Sequence, residues 1–458
     1  RLAAARSSQR YIQLPSDSRR RFNALVPALA AVAAASEDPD TTLARGLDLI
    51  EAIARRAPYL ALLAERPVAL ERVARMISAS TWAAEYITQH PLLLDELLDD
   101  RVLYAEPDWP AFVDALRDEI SRHQGDLEAQ MNTLREQHQA ASFRLLAQDL
   151  GKVLTLERLA DHLSTLADLI LDEALMLVWW QLRNRHLDGP PRFAVIAYGK
   201  LGGKELGYAS DLDIIFVYDD PAPEALEVYS RLAQRLNNAL TTRTSAGVLF
   251  DTDLRLRPSG ESGLLVSSVE ALERYQEENA WVWEHQALTR ARWCAGDAAV
   301  GVAFEAMRDR ILRRPRDPAT LAPEVLAMRK RLHDGHPNKS ELFDLKHDHG
   351  GMIDIEFMVQ FLVLAHAHAQ PKLVGNLGNI ALLGVASELG LLEPGLASGC
   401  QAAYREFRRR QHALRLNGAR YARVPPETVK AATEAVCAAW SAVFAGHSAA
   451  EAPSAPKK

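Results

Sequence analysis

Tyr198-Gly-Lys-Leu-Gly-Gly-Lys-Glu-Leu-Gly-Tyr-Ala-Ser-Asp-Leu-Asp-Ile-Ile-Phe216 is the stretch on which the fold turns. Just before it, Arg192 to Tyr198 is short, apolar and closed by Gly199, the pattern of a buried strand. The glycines then predict a turn opening a short helix, Leu201 to Leu206. Asp211 to Tyr218 reads as a second strand, Pro223 to Arg243 as an amphipathic helix, and Val248 to Arg257 as a third strand. Strand, turn, helix, strand, helix, strand is the order of a small mixed α/β domain.

Outward from this segment the sequence is helical. Upstream, apolar residues recur at helical spacing in stretches such as Asp126 to Leu150 and Leu154 to His186, predicting six to eight helices before the turn cluster Asp188-Gly-Pro-Pro191. One stripe, from Leu43 to Ile53, follows Thr41-Thr42, which reads as its cap, and Asp38-Pro-Asp40 reads as a loop with a helix cap. Downstream, helices resume at Ser268, with room for a short strand and a Gly350-Gly351 turn between Leu342 and Met352. The expected fold class is α+β and predominantly helical: a small mixed-sheet domain between N-terminal and C-terminal helical bundles. The expected segments are a helical region over 1–120, helices leading into the sheet over 121–190, the sheet domain over 191–335, a helical bundle over 336–446 and a disordered tail over 447–458.

Composition narrows the function. The 458 residues carry 53 Lys+Arg against 60 Asp+Glu, a net charge of −7, with 48% apolar and 25% charged residues. A disordered or collagenous chain is excluded, and the acidic balance disfavours a general nucleic-acid binder. The longest purely apolar run, Ala24 to Ala35, is 12 residues and contains Pro27, well short of the ~20 that span a bilayer. No basic segment followed by an apolar core stands at the N-terminus, and three scattered cysteines make no disulfide framework. A reduced, cytoplasmic protein is expected, without membrane or nucleic-acid partners. The first residue is Arg1, not Met, so a piece of a longer polypeptide is expected.

The chemistry lies in the acids. On a strand, Asp211 and Asp213 project from one face, and two like charges so close call for a cation between them. Hard carboxylate oxygens suit Mg²⁺ shared with substrate phosphates. Gly202, Gly203 and Ser210, beside a strand end and a helix start, are positioned to meet an anion. Asp251, Asp253, Arg255 and Arg257 would share a face of the third strand, adding a third carboxylate and guanidinium forks for phosphate. Each signal is weak alone. Together they predict a two-metal nucleotidyltransferase site.

The Tyr198–Phe216 stretch, Asp253-Leu-Arg-Leu-Arg-Pro-Ser-Gly260 and Trp283-Glu-His-Gln-Ala-Leu-Thr-Arg-Ala-Arg292 resemble the bacterial family of bifunctional glutamine synthetase adenylyltransferase/adenylyl-removing enzymes. That family places two homologous nucleotidyltransferase halves on one chain. One attaches AMP to a tyrosine of glutamine synthetase, and the other removes it by phosphorolysis. The wording of Gly207–Asp213 and Trp283–Leu288 resembles the C-terminal, adenylylating half. The resemblance implies a polymerase-beta-like domain, with Asp211, Asp213 and Asp253 as catalytic Mg²⁺ ligands (Mn²⁺ as the alternative metal). It also implies ATP as substrate, held at Gly202, Gly203 and Ser210. Arg255 and Arg257 would hold phosphates or pair with Asp251. Implied partners are glutamine synthetase, a PII-type signal protein and glutamine as effector. The alternatives are phosphorolytic removal of AMP and a non-catalytic, nucleotide-sensing helical regulator.

Other conspicuous residues read as structural. His285 is expected to be packed, and Trp281, Trp283 and Trp293 to be core, with adenine stacking the alternative for one of them. His347-Asp348-His349 is not expected to bind metal. Lys346, Gly350, Gly351, Asp354 and Glu356 match a recurring pattern of the family, with a structural or regulatory role expected. On a helix Asp354 and Glu356 point about 200° apart and cannot share a metal.

Overall fold

The computed structural model describes residues 1–36, 38–98, 100–208, 210–375 and 378–446. The tail expected over 447–458 lies outside the described residues. The chain forms two compact units. The first takes Arg1–Asp108, Gln137–Leu159 and His412–Tyr421, and the second takes Trp109–Glu136, Ala160–Gln411 and residues from Ala422 onward. This division cuts inside the helices Leu127–Leu150, Leu156–Gln181 and Pro394–Leu416 rather than at the expected segment boundaries.

The first unit is helical among its described residues. Long helices Ser16–Ala34, Pro39–Ile53, Pro67–Ala79 and Thr81–Gln89 bury Phe22, Leu25, Leu47, Ile50, Val73, Ile77 and Ile87 along one stripe each. The cap is Asp38, as the reading of Asp38-Pro-Asp40 expects and that of Thr41-Thr42 does not: its side chain accepts from the Thr41 N–H at 3.1 Å. Pro39 is preset for the first helical turn, so the helix starts earlier than its apolar stripe.

The second unit contains the sheet. Its strands are β1 (Phe193–Ala197), β2 (Leu212–Tyr218), β3 (Thr252–Asp253), β4 (Val266–Ser268) and β5 (Arg292–Gly296). The order is β3-β2-β1-β5, with β4 also pairing with β2. β1 lies antiparallel to β2 and β5, while β3 and β4 run parallel to β2 along its other edge. All five residues of β1 are buried, which explains its unbroken apolar run. The helix Ala225–Thr241 turns Val228, Tyr229, Leu232, Leu236 and Leu240 inward, each burial contributing roughly 1.5–3 kcal/mol. Tyr229 packs its ring 5.7 Å from that of Phe193.

Two expectations need correction here. The third strand, expected over Val248 to Arg257, is only two residues long, because the chain turns immediately after Asp253 and Arg255 bonds back to it. The three tryptophans are not core. Trp281, Trp283 and Trp293 are 49%, 36% and 36% exposed. The helix Val282–Leu288 turns Glu284, Gln286 and Leu288 inward, and β5 is an edge strand that leaves Trp293 outside. β5 itself went unread within a region taken as helical. The short strand expected near Leu342 is β6 (Phe343–Asp344), paired with β7 (Arg423–Val424).

Candidate active site

The site is built where β2 and β3 begin. Asp213 and Asp253 are register partners across the parallel pair, and Asp211 precedes β2 by one residue, exposed. The Leu212 N–H donates to the Asp251 carbonyl at 2.9 Å, fixing the start of the pairing. Two anchors hold β3 in place. Thr252 donates its hydroxyl to Asn237 of the helix behind it at 2.6 Å. Arg135, almost fully buried, donates to the carbonyls of Ala239, Thr242 and Gly247 at 2.7, 2.8 and 2.9 Å, pinning the segment that leads into β3.

The turn above Asp213 is tightly wound. Gly199 has φ +54°, a conformation that favours glycine. The N–H groups of Gly202 and Gly203 donate to the carbonyls of Tyr198 and Gly199 at 2.8 and 3.1 Å. They are therefore engaged within the turn and are not free to meet phosphate. A Cβ on Gly202 would lie 1.9 Å from the Arg290 carbonyl oxygen, and one on Gly203 would lie 2.4 Å from the Arg290 guanidinium. Both glycines are required by close packing, as expected of a tight turn that needs glycine for backbone reasons. Ser210 accepts from the Gly207 N–H at 3.1 Å, holding the connection into β2.

Electrostatics single out Asp213. Burial, followed by the charges of Asp211 and Asp253, pushes its carboxyl up to about 6, while Lys200 and Lys346 act in the opposite direction. Asp253 goes the other way. Its carboxyl is held below the usual range, chiefly by Arg255, whose Nε lies 3.0 and 2.9 Å from the two carboxylate oxygens. Arg255 thus pairs with Asp253, not with Asp251. Arg257 donates to the carbonyls of Leu254 and Glu261 at 2.9 and 3.1 Å. It braces the following loop, and the chain turns before Arg257 can share a strand face with Asp253.

Among the described residues, no group of three or more His, Cys, Asp or Glu side chains is gathered to hold a metal as it stands. The donor chemistry nonetheless fits a hard divalent cation. Asp211 and Asp213 supply carboxylate oxygens, a cation would offset the burial and the repulsion that raise Asp213, and Asp253 can join once Arg255 releases it.

Two lysines act on Asp213 by their charge. Lys200 lies inside the turn motif, and Lys346 was set aside as structural or regulatory. The acceptor groups of Asp344 fix the Lys346 loop: its Oδ1 takes the N–H groups of Lys346 and His347 at 3.1 Å each. The remaining family-pattern acids are both paired with arginines. Asp354 is buried, ion-paired with Arg329, and accepts from the Gly350 N–H at 2.6 Å. Glu356 lies 3.5 Å from Arg290. His285 is packed, its Nε2 2.9 Å from the Gln276 carbonyl, and burial pushes its pKa down to about 4.

A small mixed sheet with carboxylates at the starts of two parallel strands, beneath a glycine-rich turn, defines a nucleotidyltransferase-type domain. Residues 70–307 match the family model described as glutamate-ammonia ligase adenylyltransferase, and the chain belongs to that family. Residues 323–440 match a second model, GlnD PII-uridylyltransferase. Proteins called bifunctional glutamine synthetase adenylyltransferase/adenylyl-removing enzyme are similar along most of the chain. The one from Aromatoleum aromaticum is 61% identical over 94% of this chain and 46% of its own length. The one from Chromobacterium violaceum is 56% identical over 91% and 46%, and that from Burkholderia mallei 52% identical over 97% and 49%. The chain thus spans about half the length of the curated relatives it matches. No helix among the described residues is long and apolar enough to cross a membrane.

Proposed function

We propose that this chain is the transferring half of such a bifunctional enzyme, moving AMP from ATP to a tyrosine of glutamine synthetase. The register of Asp213 with Asp253, beside Asp211 and beneath the Gly199–Gly203 turn, carries the reading. The wording of Gly207–Asp213 favours transfer over removal.

The phenolic oxygen of the substrate tyrosine attacks the α-phosphorus in line, the bond to the bridging oxygen breaks, and pyrophosphate leaves. Asp253, released by Arg255, accepts the phenolic proton. The freed Arg255 guanidinium then faces the phosphates, with Lys200 and Lys346 adding positive charge near Asp213. Ser210 lies next to the first acid and lines the phosphate side. Mg²⁺, or Mn²⁺ in its place, would be held by Asp211, Asp213 and Asp253 and would offset charge on the transferring phosphoryl group. The cytoplasm is the proposed location. Glutamine and a PII-type protein are the proposed regulators, and the match of residues 323–440 to a PII-uridylyltransferase model supports the latter.

Incubation with ATP, Mg²⁺ and glutamine synthetase, followed by intact mass of the synthetase, tests the proposal. The expected result is one AMP gained per subunit and none with Asp213→Asn. Phosphate-dependent loss of AMP from modified synthetase, without any gain, would assign the chain to the removing half.

A further inference from the structure

Arg290 lies just before β5, and its side chain is only 11% exposed. Its guanidinium faces two carboxylates, with Glu205 at 2.6 Å and Glu356 at 3.5 Å. The Tyr404 hydroxyl donates to Glu205 at 2.8 Å, lies 3.2 Å from Glu356 and accepts from the Asn379 side-chain amide at 2.9 Å. Arg408 donates to the Glu205 carbonyl at 3.3 Å. Burial alone would raise the Glu205 carboxyl, but the charges of Arg290 and Arg408 overcome it and hold the group below its ordinary value. Glu205 ends the glycine-rich turn. Glu356, Asn379 and Tyr404 come from the helices Met352–His366, Asn379–Glu388 and Pro394–Leu416.

The turn is pressed onto this network. Gly203 sits against the guanidinium so closely that a Cβ would be 2.4 Å from one nitrogen and 2.7 Å from another, and Gly202 sits against the Arg290 carbonyl. The opposite end of the turn meets the acid site: Gly199 abuts the Asp213 carboxylate, and the Tyr198 N–H donates to the Asp213 carbonyl at 2.8 Å. Arg292 supports the middle, donating to the Leu201 carbonyl at 3.0 Å. A displacement of Arg290 would therefore move the turn as a body, and Asp213 with it.

We propose that Arg290 is a positioning residue for nucleotide binding: its guanidinium, fixed by Glu205, Glu356 and Tyr404, is the floor that sets the Gly199–Gly203 turn over Asp213. The C-terminal helices are then part of the nucleotide site although none of their residues belongs to its motifs. This inference rests on the nucleotidyl-transfer reading of the site and assigns that site a support outside the sheet. A planar fork suits the task because it meets two carboxylates while presenting a flat face to Gly203.

The test compares Arg290→Lys, Tyr404→Phe and Gly203→Ala in the whole chain. It reads equilibrium binding of Mg²⁺–ATP by calorimetry, the KM for glutamine synthetase, and thermal melting. Lysine keeps the charge but cannot meet both carboxylates. Arg290→Lys should weaken ATP binding about tenfold or more and leave the KM for the protein substrate unchanged. Tyr404→Phe, which removes one hydroxyl from a retained ring, should weaken it two- to fivefold and settles the matter if Arg290→Lys does not fold. Gly203→Ala combined with Arg290→Lys should lose less than the product of the separate losses, since both disturb one contact. Folded Arg290→Lys and Tyr404→Phe that bind ATP like the wild type would overturn the proposal, as would equal losses toward ATP and the protein substrate. A wild-type chain that binds Mg²⁺–ATP but transfers no AMP would sink the transfer reading alone, leaving the binding comparison to decide on Arg290.

Discussion

Gly199 and Asp213 are in such close contact that a Cβ at position 199 would lie 2.1 Å from the Asp213 Oδ2 atom. The turn and the acid are a single packed unit, and the glycine is the residue that permits it. Gly199→Ala must therefore displace the carboxylate and also adopt a positive φ, which costs roughly 1–2 kcal/mol for a residue with a side chain. AMP transfer should fall at least as far as the melting temperature alone would suggest, on the order of 100-fold, equivalent to about 2.7 kcal/mol at the transition state. A variant that melts lower but keeps its turnover would show that Asp213 is not fixed by this contact.

Arg255 and a cation compete for Asp253, since the Arg255 Nε approaches both carboxylate oxygens. Arg255→Ala should bind a divalent cation in the absence of nucleotide about two- to fivefold more tightly, a modest gain because the competing ion pair is exposed. The same variant should bind ATP more weakly, having lost a phosphate partner. Titration with Mn²⁺ and with Mg²⁺–ATP reads both, and effects of the same sign would exclude the exchange of partners.

Lys346 is exposed and its loop is fixed through Asp344, while its charge acts on Asp213. Lys346→Met should leave the melting temperature nearly unchanged and weaken ATP binding by on the order of fivefold, with a smaller effect at high salt, as expected of screened exposed charges. Salt-independent or absent weakening would return Lys346 to a purely structural role.

Arg292 forms a buried fork with Asp168 at 2.7 and 2.9 Å. Burial pushes the Asp168 carboxyl up to about 6, against the pull of Arg292. A carboxyl raised above its unfolded value favours folding less as pH climbs through that range, and losing Arg292 would raise it further. Arg292→Ala should cost about 3–5 kcal/mol at pH 8, as for a broken buried pair, and distinctly less at pH 5, where Asp168 is protonated. Melting curves of both proteins across that range check this, and a constant difference would contradict it.

The two central strands and the helix Ala225–Thr241 were legible because short-range signals set them, an unbroken apolar run and a helical stripe, although Asp211 falls one residue short of the strand expected to carry it. The third strand was overread because alternation in Asp251–Arg257 mimics a strand that the Asp253–Arg255 turn ends. β5 was missed because Arg292–Gly296 carries no alternation that a neighbouring helix would not also permit. Exposure of Trp283 depended on which face of a short helix turned inward, and that of Trp293 on β5 lying at the sheet's edge, both decided by packing partners.

By itself, then, the sequence determined the sheet's central strands and the family, since those depend on residues close along the chain. Only the tertiary structure decided what Gly202 and Gly203 face, and that Arg290 joins Glu205 to Glu356 with Tyr404 bonded to both carboxylates. Those contacts unite residues up to 199 positions apart, and no local spacing encodes them. Burial makes them decisive, because away from water every charge must find a specific partner and every glycine a specific neighbour.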